Sequence, residues 1–189
     1  MSRSPLALLA VVTAGAVALA GCSSSGSSSA NSSTASAGAT AGSTAASDVS
    51  FNGVTVKNAT DLASKPAVDA HSSDKPSALQ VKDLKVGDGT AATPTSTVTV
   101  QYVGVRYADG KQFDASWDHG GATSFSLQQV VPGFTQGIGG NGTVAPMKIG
   151  GRRLMILPAS LGYGASGTPD GSIPPNAPIV FVVDLVGVS

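Results

Sequence analysis

Between residues 97 and 107 the apolar positions recur with a period of two. Val98, Val100 and Tyr102 are separated by Thr97, Thr99 and Gln101, the pattern of a strand with one buried face. After Tyr102 the parity changes to Val103, Val105 and Tyr107, with Gly104 between, which predicts a bulge or strong bend. Asp109-Gly110 predicts a hairpin turn, with Lys111 to Trp117 returning as the antiparallel partner. Arg152 to Leu157 predicts a further strand ended by Pro158, its two arginines expected at a solvated edge. At the C-terminus Ile179, Phe181, Val183 and Leu185 share one face and Asp184 takes the other, so a half-buried strand is expected. The best helix lies at about Gln129 to Ile138, interrupted by Pro132 and Gly133, with Val130, Val131 and Phe134 as its apolar side. One short helix against a twisted antiparallel sheet is an α+β arrangement, and the concave side of such a sheet offers a pocket.

Upstream the pattern fades. Within 49–78, Val54, Val56 and Val68 fit short strands, while Lys65-Pro66 and Lys75-Pro76 read as breaks. This stretch is expected to be an accessory extension packed on the main domain, 79–189. From Ser23 to Ser47 every residue but Asn31 is Ser, Ala, Gly or Thr. Nothing there can build a core, so 22–48 is expected to be a flexible tether. Residues 1–21 carry Arg3, an apolar run from about Leu6 to Ala20, then small residues. That run is too short for a bilayer span and suits a secretory signal. Leu19-Ala20-Gly21-Cys22 resembles the bacterial lipobox, which implies lipidation of Cys22 after cleavage and a location outside the cytoplasm, on the cell membrane. Two or more acyl chains hold firmly where one holds weakly.

Charge and chemistry then narrow the function. Eleven Lys and Arg balance eleven Asp and Glu, so no sequence-independent attraction to nucleic acid is expected. Cys22 is the single cysteine, which excludes an internal disulfide and a thiolate zinc site. His71 and His119 lie far apart with nothing near them at ligand spacing, so neither metal nor cofactor is expected. Gly137 to Gly142 and Gly162 to Gly167 match G-x-G-x-x-G. Neither follows a strand and opens a helix in a βαβ unit, so both read as glycine-rich turns rather than nucleotide sites. No serine sits in a G-x-S-x-G elbow, which argues against hydrolysis.

Five blocks remain: Tyr102-Val103-Gly104; Gly110 to Ser116; Val131-Pro132-Gly133-Phe134; Gly150-Gly151-Arg152-Arg153 with Leu157 to Gly164; and Ile173-Pro174-Pro175-Asn176-Ala177. In this order and spacing they closely resemble the FKBP-type peptidyl-prolyl cis/trans isomerases, over essentially all of 79–189. The resemblance implies a bent antiparallel sheet of about five or six strands wrapped around one short helix. It also implies proline-containing polypeptides as substrates, macrolides as inhibitors, a monomer, and help to the folding of exported proteins.

By motif the pocket walls would be Tyr102, Phe113, Val130, Val131, Ile173 and Phe181, the floor Phe134, and the polar groups Asp114 and the Tyr163 hydroxyl. Phe113, Asp114, Tyr163 and Phe181 would carry catalysis. The floor often holds Trp in the family, and Thr123 and Thr168 stand where some members carry aromatic or histidine rim residues. Two other uses of the fold stand beside catalysis: a proline-binding or chaperone-like module, and an adaptor. An intact Tyr102, Phe113, Asp114, Tyr163, Ile173 and Phe181 set favours the enzyme.

Overall fold

The structure, a computed structural model, describes residues 47–189. The expected leader, Cys22 and nearly all of the tether lie outside these residues. A first sheet is formed by β1 (Val49–Phe51), β2 (Val54–Lys57) and β3 (Ala67–Ala70), joined antiparallel in that order. The main sheet contains β4 (Gln80–Lys85), β5 (Thr97–Arg106), β6 (Gln112–Ala115), β7 (Thr123–Ser126), β8 (Arg152–Leu157) and β9 (Ile179–Val188). Its order is β4-β8-β9-β5-β6, with β7 pairing the first half of β5, and all pairings are antiparallel. Among the described residues the one α-helix, α1 (Pro132–Gly139), lies against its concave face.

The helix starts later than the sequence predicts. Val131 precedes a proline, which disfavours the α region, and it is extended at φ −60 and ψ 143. Pro132 then opens the first turn, where its missing N–H costs nothing. Three glycines in so short a helix are poor helix formers, and the sheet explains two of them. A Cβ on Gly133 would lie 2.5 Å from the Leu157 side chain, and one on Gly137 would run into the Met155 sulfur. The helix therefore rests directly on β8. The loop after it is folded locally by Asn141, whose Oδ1 accepts from the backbone N–H of Thr143 at 3.0 Å and of Val144 at 2.8 Å.

The parity change after Tyr102 has a different cause from the one expected. Pairing of β5 with β9 runs in regular register from Val100 to Arg106, so no bulge turns the strand over there. Val98, Val100 and Tyr102 face the helix and share its core with Phe134, Ile138, Val183 and Leu185. Val103, Val105 and Tyr107 face the other way. They join Val180, Val182, Leu154 and Ile156 in a second cluster, roofed by Val54, Val56 and Ala70 of the small sheet. The main sheet is thus covered on both faces, and β9 is buried along most of its length rather than on one side. Irregularities do occur nearby, against β9 at Thr99/Val100 and against β6 at Gly104/Val105.

Arg152 and Arg153 are likewise not at a solvated edge. Arg152 is fully buried and grips Asp184 through Nε at 2.5 Å and Nη2 at 2.6 Å. It also donates to the Asn58 carbonyl at 2.9 Å and the Ser64 carbonyl at 3.1 Å, which ties the loop between β2 and β3 to the main sheet. Burial pushes the Asp184 carboxyl up, and the guanidinium pulls against it. Arg153, 3% exposed, pairs with Asp83 and donates to the carbonyls of Gly137 and Ala145, both at 2.7 Å. It joins the last turn of α1 to the loop that follows it.

Candidate active site

Where the concave face of the main sheet meets the start of α1, ten side chains line a cavity of about 390 Å³: Tyr102, Phe113, Asp114, Phe125, Gln129, Val130, Val131, Phe134, Tyr163 and Phe181. The sequence brings them there by simple means. Tyr102 follows Val98 and Val100 on the inward face of β5, and Phe181 projects from the same face of β9. Gly104, next inward on β5, leaves room for two rings. A Cβ there would sit 2.7 Å from Phe113 Cζ and 2.8 Å from Phe181 Cε1. Val131, still extended before Pro132, and Val130, in the bend just ahead of it, both reach the cavity.

The rings form one continuous web. Phe134 meets Phe181 at 5.2 Å between centroids, Phe113 meets Phe181 at 5.6 Å, and Tyr102 meets Phe125 at 5.9 Å. Most contacts are edge-on, the arrangement favoured by the quadrupoles of the rings. The result is a rigid apolar cup with its polar groups at the wall.

Asp114 is the only charged group among the lining side chains. Its Oδ2 accepts from the Tyr102 hydroxyl at 2.5 Å, and its Oδ1 lies 3.1 Å from Nε2 of His119. Buried Ser116 holds the same tyrosine from behind, accepting from the Tyr102 backbone N–H at 2.9 Å and donating to Gln101 Oε1 at 2.6 Å. Burial, then the hydrogen bond and charge of Asp114, push the Tyr102 phenol well above its ordinary value. Burial, followed by the charges of Asp114 and Asp170, also raises that of Tyr163. Both phenols are therefore protonated donors across the physiological range. Tyr102 is committed to Asp114, whereas Tyr163 stands at the mouth, 38% exposed.

Of the residues anticipated from sequence, Tyr102, Phe113, Asp114, Val130, Val131, Phe134, Tyr163 and Phe181 meet at this cavity. Ile173 does not line it. Its side chain is 1% exposed in the core beneath, and its backbone N–H is held by Thr168 Oγ1 at 2.9 Å. Thr123 pairs with Val100 in the ladder of β7 and β5, and the aromatic rim residue is Phe125, two positions on. Phe125 and Gln129 were not anticipated. A lone aromatic in the Thr-Ser-Phe-Ser strand was the available signal for the first.

A bent antiparallel sheet around one short helix carries an apolar aromatic cup of a size and lining suited to a small apolar ring. Residues 88–186 match the family described as FKBP-type peptidyl-prolyl cis-trans isomerase, and the chain belongs to that family. It is 44% identical over 126 residues to the FK506-binding protein of Streptomyces anulatus, covering 66% of this chain and 97% of that one. With the isomerase FkpA of Escherichia coli K12 it shares 39% identity over 105 residues, 56% of this chain and 36% of FkpA. The crystal structure of AtFKBP13 superposes with a TM-score of 0.56 at 34% identity, covering 61% of this chain and 96% of that one. That of FkpA from Escherichia coli gives 0.53 at 36% identity, covering 64% and 51%. The function is peptidyl-prolyl cis/trans isomerisation, and the non-catalytic module is not favoured.

Proposed function

We propose that this isomerase serves exported polypeptides from a membrane-anchored position outside the cytoplasm. Residues 1–21 act as a lipoprotein leader, Cys22 carries the lipid, and 22–48 is a tether with a root-mean-square reach of about 30 Å. The folded part begins at about 49, and its segment 79–189, acting as a monomer, carries the prolyl site. The Leu19-Ala20-Gly21-Cys22 run supports the anchor. Its test is Cys22→Ser: the chain should move from the membrane fraction to the soluble fraction and lose acyl mass. A variant that stays lipidated and membrane-bound would refute the anchor.

The mechanism rests on the aromatic cup. Rotation about the prolyl bond must break amide resonance against a barrier of about 18–20 kcal/mol. A turnover near 100 per second requires lowering it by roughly 5–6 kcal/mol. The planar amide is the more polar state, so water-poor walls penalise it more than the twisted state. Phe113, Phe134 and Phe181 hold the proline ring, the Tyr163 hydroxyl and a backbone N–H near Val131 hold the peptide carbonyl, and Asp114 sets the local field. Macrolides would occupy the same cup.

Tyr163→Phe removes one donor and little volume, so kcat/KM for a short X-Pro peptide, read by exchange spectroscopy, should fall about threefold to thirtyfold. A loss of twofold or less in Tyr163→Phe, Asp114→Ala and Phe181→Ala alike would move the chemistry elsewhere.

A further inference from the structure

We infer that His119 is a positioning residue for the isomerase reaction, acting through Asp114 on the Tyr102 wall of the cup. The inference rests on the cup being the prolyl site. His119 ends a one-turn 3-10 helix, Ser116–His119, that follows β6 directly. Side chains of β6 and this turn thereby converge on one tyrosine, Ser116 and Asp114 directly and His119 through the aspartate. Ser116 takes its backbone N–H, Asp114 Oδ2 takes its hydroxyl, and His119 Nε2 faces the remaining oxygen of the same carboxylate. The aspartate is therefore divided between the wall and an imidazole that is itself largely solvent-exposed.

The other charges around this corner are already engaged. Asp118, beside His119 in sequence, receives Lys65 Nζ and Gln112 Nε2, both at 2.7 Å, and these bonds hold its carboxyl below the ordinary range. Asp170 reaches the cup only through its effect on Tyr163, and it accepts from Ser172. Asp114 is left as the one carboxylate at the cup whose second oxygen faces an imidazole.

An imidazole changes charge between about pH 5 and 8. Charged, it must donate from Nε2 to Asp114. This fixes the carboxylate with its other oxygen on Tyr102 and offsets its negative charge at the cup wall. Neutral, it can turn a lone pair toward the carboxylate or swing into solvent, and the wall loses one of its anchors. Catalysis that depends on a preorganised, weakly charged cup is then strongest on the acid side.

The test is the pH profile of kcat/KM for an X-Pro peptide from about pH 5.5 to 8, measured by exchange spectroscopy on the full chain, for wild type, His119→Gln and His119→Lys. The wild type should lose about twofold to fivefold across this range, the size of a partly exposed ion pair. His119→Gln should be flat at the lower level, and His119→Lys flat at the upper level because its charge is permanent. A flat wild-type profile overturns the inference. So does an unchanged slope in His119→Gln, which would place the titrating group elsewhere. Absence of catalysis at every pH in the wild type would instead overturn the prolyl reading of the cup, and the inference with it.

Discussion

Arg152→Ala will lower the unfolding free energy by about 3–5 kcal/mol, the cost of leaving a buried partner charge alone. In melting temperature this is a drop of roughly 6–20 °C. The guanidinium is fully buried and satisfies four acceptors at once: both oxygens of Asp184 and the carbonyls of Asn58 and Ser64. Alanine strands a carboxylate that burial already disfavours, and it releases the two carbonyls that bind the β2–β3 loop. Amide exchange between 58 and 64 should therefore quicken more than exchange in β9. Replacing Arg152 by Met and Asp184 by Leu together should recover only the part of the loss due to the stranded charge, because the Asn58 and Ser64 carbonyls still lack their donor. A melting temperature within about 2 °C of wild type for Arg152→Ala would show that this pair does not hold the small sheet.

Phe181 gives the second large effect, on catalysis and stability together. Its ring touches Tyr102, Phe113 and Phe134 at centroid distances of 6.2, 5.6 and 5.2 Å and is 5% exposed. Phe181→Ala empties the centre of the web and should cost about 3–5 kcal/mol of stability. Loss of one wall removes about 2 kcal/mol of contact with the bound ring, so kcat/KM should fall about thirtyfold. Phe181→Leu keeps most of the volume and should fold with a smaller penalty, which separates the two effects. It should still lose about tenfold in kcat/KM. Activity within twofold of wild type in a folded Phe181→Leu would remove the ring from the mechanism.

Much of this arrangement was legible from the chain. The alternation around Val98 to Tyr102, the Asp109-Gly110 turn and the final strand are local signals, and the site residues sit in compact motifs. What escaped shares one physical origin. Tyr102 followed by Val103 reads as a parity slip, because adjacent apolar positions arise equally from a bulge and from a strand covered on both sides. Only the packing of 49–70 distinguishes them. Arg152 and Arg153 read as surface because charged residues are seldom buried unless paired. The Arg152 partners Asn58 and Ser64 are 94 and 88 residues away along the chain. Phe125 is hidden in the sequence because Thr, Ser and Ser around it look like an exposed strand. Ile173 lies one layer beneath the cup, because a motif gives order along the chain but not depth.

The floor of the cup has a consequence for selectivity. A group seated against Phe134 meets hydrocarbon and the edge of the Phe181 ring rather than a hydrogen-bond donor. Recognition there is by fit, and fit alone separates homologous side chains by merely ~10–200-fold. A hollow of this kind therefore discriminates weakly between apolar groups of similar size.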